Sequence, residues 1–319
     1  MRPAISVVVV TYAMGRELPR TLLSLSPAQQ RDVAAEDLEV VVVDNGSPVP
    51  VHLDAEAFGG ALRLLRLDHA PASPARAANL GIQAAEADVI GLIVDGARIA
   101  SPGLLATARL AATLADRPVV TAPGYHLGAQ PHMGAADAGY DRDAEDRLLE
   151  QVGWQDDGYR LFAHSVLAAS SARGWFGPMG ESSSLFMPRA LWDELGGLDE
   201  RFDLPGGGLV NHDLYRRACA APGVQLVSLL GEGTFHQLHG GAATSGRFTW
   251  DEMHAQYQAI TGVAHRPPAN QPIHLGRLPV SALSHAKRSV ERAIARAGQV
   301  RSPDVPAAAA AGSEAVDRR

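Results

Sequence analysis

The segment VVVVDNGS, Val40 to Ser47, decides the fold class. Four consecutive valines lead directly into an acid and a turn. Such a run is typical of a central parallel strand with both faces covered. Ligands in open α/β sheets bind just beyond the carboxyl ends of such strands, so Asp44 is placed to hydrogen-bond a bound base or sugar. A turn-forming Asp that only caps the next segment is the alternative.

The sequence on both sides of this segment alternates between strand-like and helix-like patterns. Apolar runs predict five strands, at residues 5–10, 40–43, 62–67, 88–95 and 118–124. Helical spacing follows the first strand, and further helices are predicted from about Pro74 and from Ser101-Pro102, where Ser caps and Pro occupies the first turn. This βαβ alternation predicts a mostly parallel sheet with right-handed crossovers, flanked by helices.

The pattern is less regular after residue 124. Residues 124–180 predict loops with short helices, the kind of region that usually carries specificity. PRALWDELGG predicts a helix that ends at Gly196, Asn211 is predicted to cap HDLYRRACAA, and VQLVSLL predicts a late strand. We therefore expect a domain over 1–264, with a nucleotide half (1–123) and an acceptor half (124–264). A linker and helix over 265–300 and a disordered tail over 301–319 are expected to follow.

Composition narrows the class of protein. Of the 319 residues 46% are hydrophobic, enough for a sizeable core, and the net charge of −7 argues against a general nucleic-acid binder. Cys219 is the single cysteine, so neither a disulfide framework nor a cysteine-rich zinc site is expected. A reducing, cytoplasmic location fits this. The apolar run near the N-terminus is too short to span a membrane.

Five segments, in this order, resemble family-2 glycosyltransferases of the GT-A fold over about residues 4–240. They are SVVVVTYAMGRELPRTLLSL, VVVVDNGS, ARAANLGIQAA, DVIGLIVDG and ALWDELGGLDERFDLPGGGLVNHDLYRRA. The resemblance implies a nucleotide-diphosphate sugar donor, a divalent metal (Mn²⁺ or Mg²⁺) and transfer with inversion. It also implies a glycan, lipid-linked or glycoconjugate acceptor, as in cell-surface polysaccharide biosynthesis.

The resemblance assigns donor contacts to the N-terminal half. Asp44 would hydrogen-bond the nucleotide base or ribose, and Thr11 and Tyr12 would border the same nucleotide, with Tyr12 either stacking or packing at the rim. Arg76 and Asn79 would contact the donor, because a guanidinium forks onto the oxygens of a diphosphate. A solvated Arg at the start of a helix is the alternative for Arg76.

The metal prediction rests on Asp95. The family ends this strand with Asp-x-Asp, but here the second acid is replaced by Ala97. In related enzymes a late His completes the metal site, so His236 and His239 in TFHQLHGG are both candidates. A neutral imidazole suits Mn²⁺ better than Mg²⁺. His239 could instead contact the donor diphosphate, and a His that only hydrogen-bonds in a turn is the further alternative.

The base that deprotonates the acceptor hydroxyl is predicted to be Asp213. The register is open at this point: Asn211 could occupy the usual base position, with Asp213 matching a later structural acid. Glu181 and His212 are predicted to bind the acceptor, with a surface acid as the alternative for Glu181. Trp154, Trp175 and Phe176 could form a sugar-stacking platform or belong to the core.

The predicted helix over 281–297 combines a thin apolar stripe with basic side chains. It could lie on the inner face of an anionic membrane, bind a partner, or dock on its own domain. Two other functions are alternatives to a glycosyltransferase. One is a non-catalytic glycan- or nucleotide-binding module, suggested by the broken Asp-x-Asp, and the other is a nucleotidyltransferase. The second would need a glycine-rich loop with a basic residue immediately after the first strand, which TYAMGRELPR does not supply convincingly.

Overall fold

The structure is a computed structural model that describes residues 2–132, 139–240 and 249–300. The strands in these ranges are β1 (Ile5–Thr11), β2 (Leu38–Asp44), β3 (Ala61–Arg66), β4 (Val89–Ile93), β5 (Arg98–Ala100), β6 (Pro118–Thr121), β7 (Gly124–Leu127), β8 (Ser165–Leu167), β9 (Ser184–Pro188), β10 (Gln225–Leu230), β11 (Thr234–His236) and β12 (Ile273–Gly276). The α-helices are α1 (Leu18–Leu25), α2 (Ala55–Phe58), α3 (Ala75–Ala84), α4 (Leu104–Ala111), α5 (Arg142–Val152), α6 (Arg189–Leu195), α7 (Val210–Ala220), α8 (Trp250–Thr261) and α9 (Leu283–Val300). The predicted tail over 301–319 lies outside the described residues.

The larger sheet has eight strands in the order β12-β10-β6-β9-β4-β1-β2-β3. All its described pairings are parallel except those of β9, which runs antiparallel to both β4 and β6. The mostly parallel sheet flanked by helices that the sequence predicts is thereby confirmed. The predicted linker differs, because its residues 273–276 form β12 and extend this sheet at its edge.

Two buried valine-rich strands form the centre of the sheet. Every residue of β1 and β2 is buried, as a strand covered on both faces requires. Helix α3 packs on them through Gly81, where an added Cβ would lie 2.3 Å from Cγ1 of Val8. Glycine at this position therefore sets how closely α3 approaches the sheet.

Strand register brings several predicted site residues to one edge. Thr11 and Asp44 are paired at the carboxyl ends of β1 and β2. Strand β4 ends at Ile93, two residues before Asp95, and Ile93 pairs with Ser184 at the start of antiparallel β9. The segment before β9 therefore lies at the same edge as Asp95.

A second sheet, in the order β5-β11-β7-β8, stands beside this edge. In its register His236 of β11 is paired with Arg98 of β5 on one side and with His126 of β7 on the other. This sheet collects side chains from three distant parts of the chain around Asp95.

Helix α9 docks on the domain, one of the alternatives for 281–297. His285, Ala286 and Ser289 are buried, and His285 Nε2 lies 2.8 Å from the carbonyl oxygen of Phe162. The larger apolar side chains, such as Ile294 at 67% exposure, face outward. The predicted apolar stripe is therefore wrong in part, because small residues of α9 pack against the domain while its larger apolar side chains do not. None of the helices in the described ranges is long and apolar enough to cross a membrane.

One local prediction is also wrong. Helix α7 begins at Val210, so Asn211 lies inside its first turn and does not cap it. Trp154 and Trp175 are buried in the cluster around Tyr125 and Phe162, with Phe176 packed partly buried against it. The core alternative holds for these three aromatics because the smaller sheet needs large apolar side chains to cover it.

Candidate active site

Asp44 adopts the turn-capping role that was the alternative for it. Its Oδ1 accepts a hydrogen bond of 2.8 Å from the backbone N–H of Ser47, and its Oδ2 pairs with the guanidinium of Arg66. Asp44 is also buried. A donor contact through Asp44 stays a prediction, and it would require Arg66 to share the carboxylate.

Thr11 and Tyr12 present different groups at the end of β1. The Thr11 hydroxyl is buried and has no hydrogen-bond partner among the described residues, 3.0 Å from where a Cβ on Gly96 would lie. Tyr12 is 53% exposed, so its ring is available for stacking. A buried hydroxyl without a partner is costly, which makes Thr11 a group that a ligand could satisfy.

Arg76 and Asn79 lie on α3 in contrasting environments. Arg76 is exposed and makes no hydrogen bond or ion pair with the described part of the chain. The amide of Asn79 donates to the carbonyl oxygen of Leu198 (2.9 Å) and to Glu200 (3.0 Å), and it accepts from the N–H of Leu198 (2.8 Å). Asn79 therefore holds the loop after α6, whereas Arg76 is free to meet an anion.

Asp95, His236 and His239 form a candidate metal centre. One ligand atom from each lies within 4.8 Å of the others. The Nε2 atoms of His236 and His239 are 3.0 Å apart, and His236 Nε2 is 3.8 Å from Asp95 Oδ2. A carboxylate and imidazoles are ligands that suit Mn²⁺, so these residues fit the metal that the sequence predicts.

A hydrogen-bonded chain fixes which nitrogen of His236 is available. His132 Nε2 lies 3.1 Å from the carbonyl oxygen of Leu127, which can only accept, so this nitrogen carries the proton. The bare Nδ1 of neutral His132 then accepts from His236 Nδ1, 3.2 Å away. His236 consequently keeps its lone pair on Nε2, the atom that faces Asp95 and His239.

A second group, His126, His132 and His236, shares one member with the first. Burial lowers the pKa of His126 to about 3 and that of His132 to about 4, and burial also lowers the pKa of His236 and His239. These imidazoles are neutral at pH 7, the form that binds metals. The sequence reasoning missed His126 and His132, because they become neighbours of His236 only through the pairing of β7 with β11.

The backbone around His236 and His239 is fixed by contacts at Gln237 and Leu238. The N–H of Gln237 donates to the carbonyl oxygen of Ala97 (2.8 Å), and the N–H of Leu238 donates to Glu145 (2.7 Å). Glu145 is fully buried, and burial raises its pKa. The histidine segment is thereby held against the position where the family's second acid is missing.

Arg98 gives the centre a fixed positive charge. Its Nε donates to Asp95 Oδ2 over 2.8 Å, and its side chain is mostly buried. Any cation held by Asp95 shares that oxygen with a guanidinium.

The structure does not support Asp213 as the base. Asp213 is 2% exposed; its Oδ2 accepts from Arg217 Nε (2.6 Å) and its Oδ1 from Arg216 (3.2 Å). Arg217 also donates to the carbonyl oxygens of Leu195 and Gly197, so the acid belongs to a contact between α7 and the end of α6. This is the structural acid of the alternative register, since a doubly paired buried carboxylate is poorly placed to take a proton.

Glu181 and His212, the two predicted acceptor residues, are brought together. Glu181 Oε2 lies 3.6 Å from His212 Nε2. The ring of Trp250, 45% exposed, lies with its centroid 6.4 Å from that of His212. Sequence reasoning missed Trp250, although an aromatic directly after the Thr249 capping residue is a visible signal.

Comparison with known proteins covers the first part of this site. Residues 6–96, which run from β1 past Asp95, match the family model Glycosyl transferase family 2. Over these residues the chain is similar to that family. The resemblance to this family that the sequence predicts is thereby confirmed for this segment. No curated protein matches the chain.

Several solved structures are similar to this chain at low sequence identity. S. aureus TarS 1-349 in complex with UDP-GlcNAc is 14% identical with a TM-score of 0.50, covering 92% of this chain and 71% of that one. Another structure of S. aureus TarS 1-349 is 16% identical with a TM-score of 0.48, covering 74% of this chain and 60% of that one. Mannosyltransferase PcManGT from Pyrobaculum calidifontis, in complex with GDP-Man and Mn2+, is 17% identical with a TM-score of 0.49, covering 95% and 77%. This chain therefore spans less than two thirds of the length of that TarS chain. At 14% identity, the likeness to the UDP-GlcNAc complex shows the fold alone.

Proposed function

We propose that the protein transfers a sugar from a nucleotide-diphosphate donor to a hydroxyl of a glycan or glycoconjugate, with inversion and with the help of a divalent metal. The observation that carries this is the group of Asp95, His236 and His239 at the carboxyl edge of the family-2 segment. An open α/β sheet binds its ligands at this edge, just beyond the carboxyl ends of the strands.

Five side chains of the candidate site have a defined task in this proposal. Asp95, His236 and His239 would hold Mn²⁺ or Mg²⁺, which when bound neutralises charge on the departing diphosphate. Arg76, exposed and unpaired among the described residues, would contact a phosphoryl oxygen, and Tyr12 would stack on the nucleotide base. Inversion requires one displacement, in which the acceptor oxygen attacks as the bond to the diphosphate breaks.

A panel of UDP- and GDP-sugars, measured by thermal shift with and without Mn²⁺, tests the donor and the metal together. A ligand that binds only the native state stabilises it by mass action. We expect one donor to raise the melting temperature only when Mn²⁺ is present, and Asp95→Asn to abolish that rise. Glu194→Gln, which changes an exposed carboxylate paired with Arg117, serves as the matched control. Absence of any donor-dependent shift in the wild-type protein would refute the proposal.

A non-catalytic donor-binding module is the second candidate. Two observations favour it: Ala97 replaces the second acid, and Arg98 already neutralises Asp95. A donor that binds yet releases no nucleotide diphosphate with any glycan pool, or with water, would select this candidate.

We also propose that α9 makes a peripheral contact with anionic membranes. Its exposed Leu283, Val290 and Ile294 stand beside exposed Lys287 and Arg288. Basic residues beside apolar ones suit an anionic lipid surface. Co-sedimentation with phosphatidylglycerol vesicles, but not with phosphatidylcholine vesicles, and its loss in Ile294→Glu would support the contact; equal recovery with both lipids would count against it.

A further inference from the structure

Glu181 is an acid that pairs with no arginine or lysine among the described residues. Its side chain is partly exposed, and its single ion-pair partner in the described part of the chain is His212, at 3.6 Å. Asp213, by contrast, is paired with two arginines. A general base needs a carboxylate that a ligand can reach and that no guanidinium holds. The partly exposed Glu181, which forms no ion pair with an arginine or lysine among the described residues, has both properties.

Topology places Glu181 at the reacting edge. It precedes β9 by three residues, and Ser184, the first residue of that strand, pairs with Ile93 at the end of β4. Asp95 follows Ile93 by two residues. Because β9 is antiparallel to β4, the segment that enters β9 and the segment that leaves β4 meet at one edge.

His212 supplies a second, independent observation. Its Nδ1 is buried without a hydrogen-bond partner among the described residues, while its Nε2 faces Glu181. The ring lies against Gly180, where an added Cβ would be 3.5 Å from it, and on another side it faces Trp250. A buried imidazole nitrogen without a partner, on a ring that lies beside a carboxylate and an exposed aromatic side chain, is a group that a polar ligand could satisfy.

We propose that Glu181 is the general base for the acceptor hydroxyl and that His212 is the residue that positions it. This rests on the proposed transferase function. As the acceptor oxygen forms its bond to the anomeric carbon, its O–H bond breaks and the proton passes to Glu181. The bond from the anomeric carbon to the diphosphate oxygen breaks at the same time, and that oxygen keeps the electron pair. His212 Nε2–H donates to the other carboxylate oxygen, a contact that tightens in the substrate complex.

Glu181→Gln tests the base, with the full chain, Mn²⁺ and the UDP- or GDP-sugar that gives the largest thermal shift. Turnover is measured as nucleotide diphosphate released with water or glycan as acceptor. We expect a loss of about 10²- to 10⁴-fold in kcat with donor affinity within about threefold of wild type. Glu194→Gln is the control that keeps wild-type turnover.

Azide separates a chemical role from a structural one. Azide attacks the anomeric carbon without losing a proton, so it needs no base. We expect sodium azide to restore turnover in Glu181→Gln and to yield the inverted glycosyl azide. For His212→Leu we expect a smaller loss of kcat and an altered pH profile, with recovery in His212→Gln, which can still donate to Glu181.

The failures of the two proposals are distinguishable. If the wild-type protein binds and turns over a donor and Glu181→Gln does so equally well, the base assignment is overturned and the transferase remains. A folded, donor-binding Glu181→Gln that is inactive and that azide does not rescue overturns it too. If the wild-type protein binds no donor, both proposals fall.

Discussion

Replacing His132 by leucine is expected to weaken metal binding although His132 is not one of the three proposed ligands. In the wild-type protein His132 Nδ1 accepts from His236 Nδ1, which leaves the His236 lone pair on Nε2. Leucine removes the acceptor, and the buried His236 would have an unpaired N–H. The free protein can relieve this by moving the proton to Nε2, and metal binding must then reverse that move.

The size of the effect follows from this reversal. Leaving a buried donor unpaired costs about 1–3 kcal/mol, and about 1.4 kcal/mol is tenfold in an equilibrium constant. We therefore expect the Kd for Mn²⁺ to rise roughly 5- to 150-fold, which overlaps the 10- to 100-fold typical of groups that orient metal ligands. Isothermal titration of Mn²⁺ into each variant measures it.

The control is His132→Gln, whose side-chain oxygen can still accept from His236, and whose Kd should stay within about threefold of wild type. Urea unfolding in EDTA separates metal affinity from stability. The reasoning is refuted if His132→Leu loses stability in EDTA but binds Mn²⁺ with the wild-type Kd, because His132 would then act in packing alone.

Three further predictions concern stability and the acceptor side. Gly81→Ala should destabilise the protein by about 1–3 kcal/mol in urea unfolding, because the new Cβ meets Val8, whereas Gly15→Ala, which meets nothing within 4 Å, should change little. Burial raises the pKa of Glu232 from 4.5 to about 7, so the native state binds this proton more tightly than the unfolded chain does. The free energy of unfolding should therefore fall as the pH rises from about 4.5 to about 7, by up to about 3 kcal/mol. Glu232→Gln should remove this fall, and an unchanged pH profile of unfolding would contradict the assignment. Trp250→Ala should raise the KM for a glycan acceptor while donor affinity stays constant, since its exposed ring faces His212; an equal loss of donor affinity would count against that.

The strands and their edge could be predicted from sequence because they depend on local pattern. Uninterrupted valines in β1 and β2 are typical of a strand covered on both faces, and the acids Asp44 and Asp95 mark the carboxyl ends of β2 and β4. Asp95, His236 and His239 were predicted individually through the family resemblance, and the structure brings them together.

The remaining features depend on pairing between distant segments. His126 becomes a neighbour of His236 only because β7 pairs with β11, a register that no local pattern specifies. The sequence shows Asp213 as an acid in a first helical turn, and only the structure shows that Arg216 and Arg217 pair with its carboxylate, which favours the structural alternative. Ion pairs between distant segments are set by packing, so the sequence alone does not show whether a given carboxylate is already paired.

The charge balance at Asp95 leads to a last prediction, on the coupling of metal and donor. Two acids would offer a metal two negative charges, but here Asp95 is the acid of the group, Arg98 already neutralises it, and both imidazoles are neutral. The negative charge that a divalent ion needs must then come largely from the diphosphate of the donor. We expect Mn²⁺ alone to bind weakly and UDP to lower the Kd for Mn²⁺ by about 5- to 150-fold. By linkage, Mn²⁺ must lower the Kd for UDP by the same factor. Arg98→Gln should strengthen Mn²⁺ binding in the absence of UDP and reduce the coupling. Tight Mn²⁺ binding without nucleotide, unaffected by Arg98→Gln, would show that the missing acid has been replaced by another ligand and that the donor is not needed to complete the site.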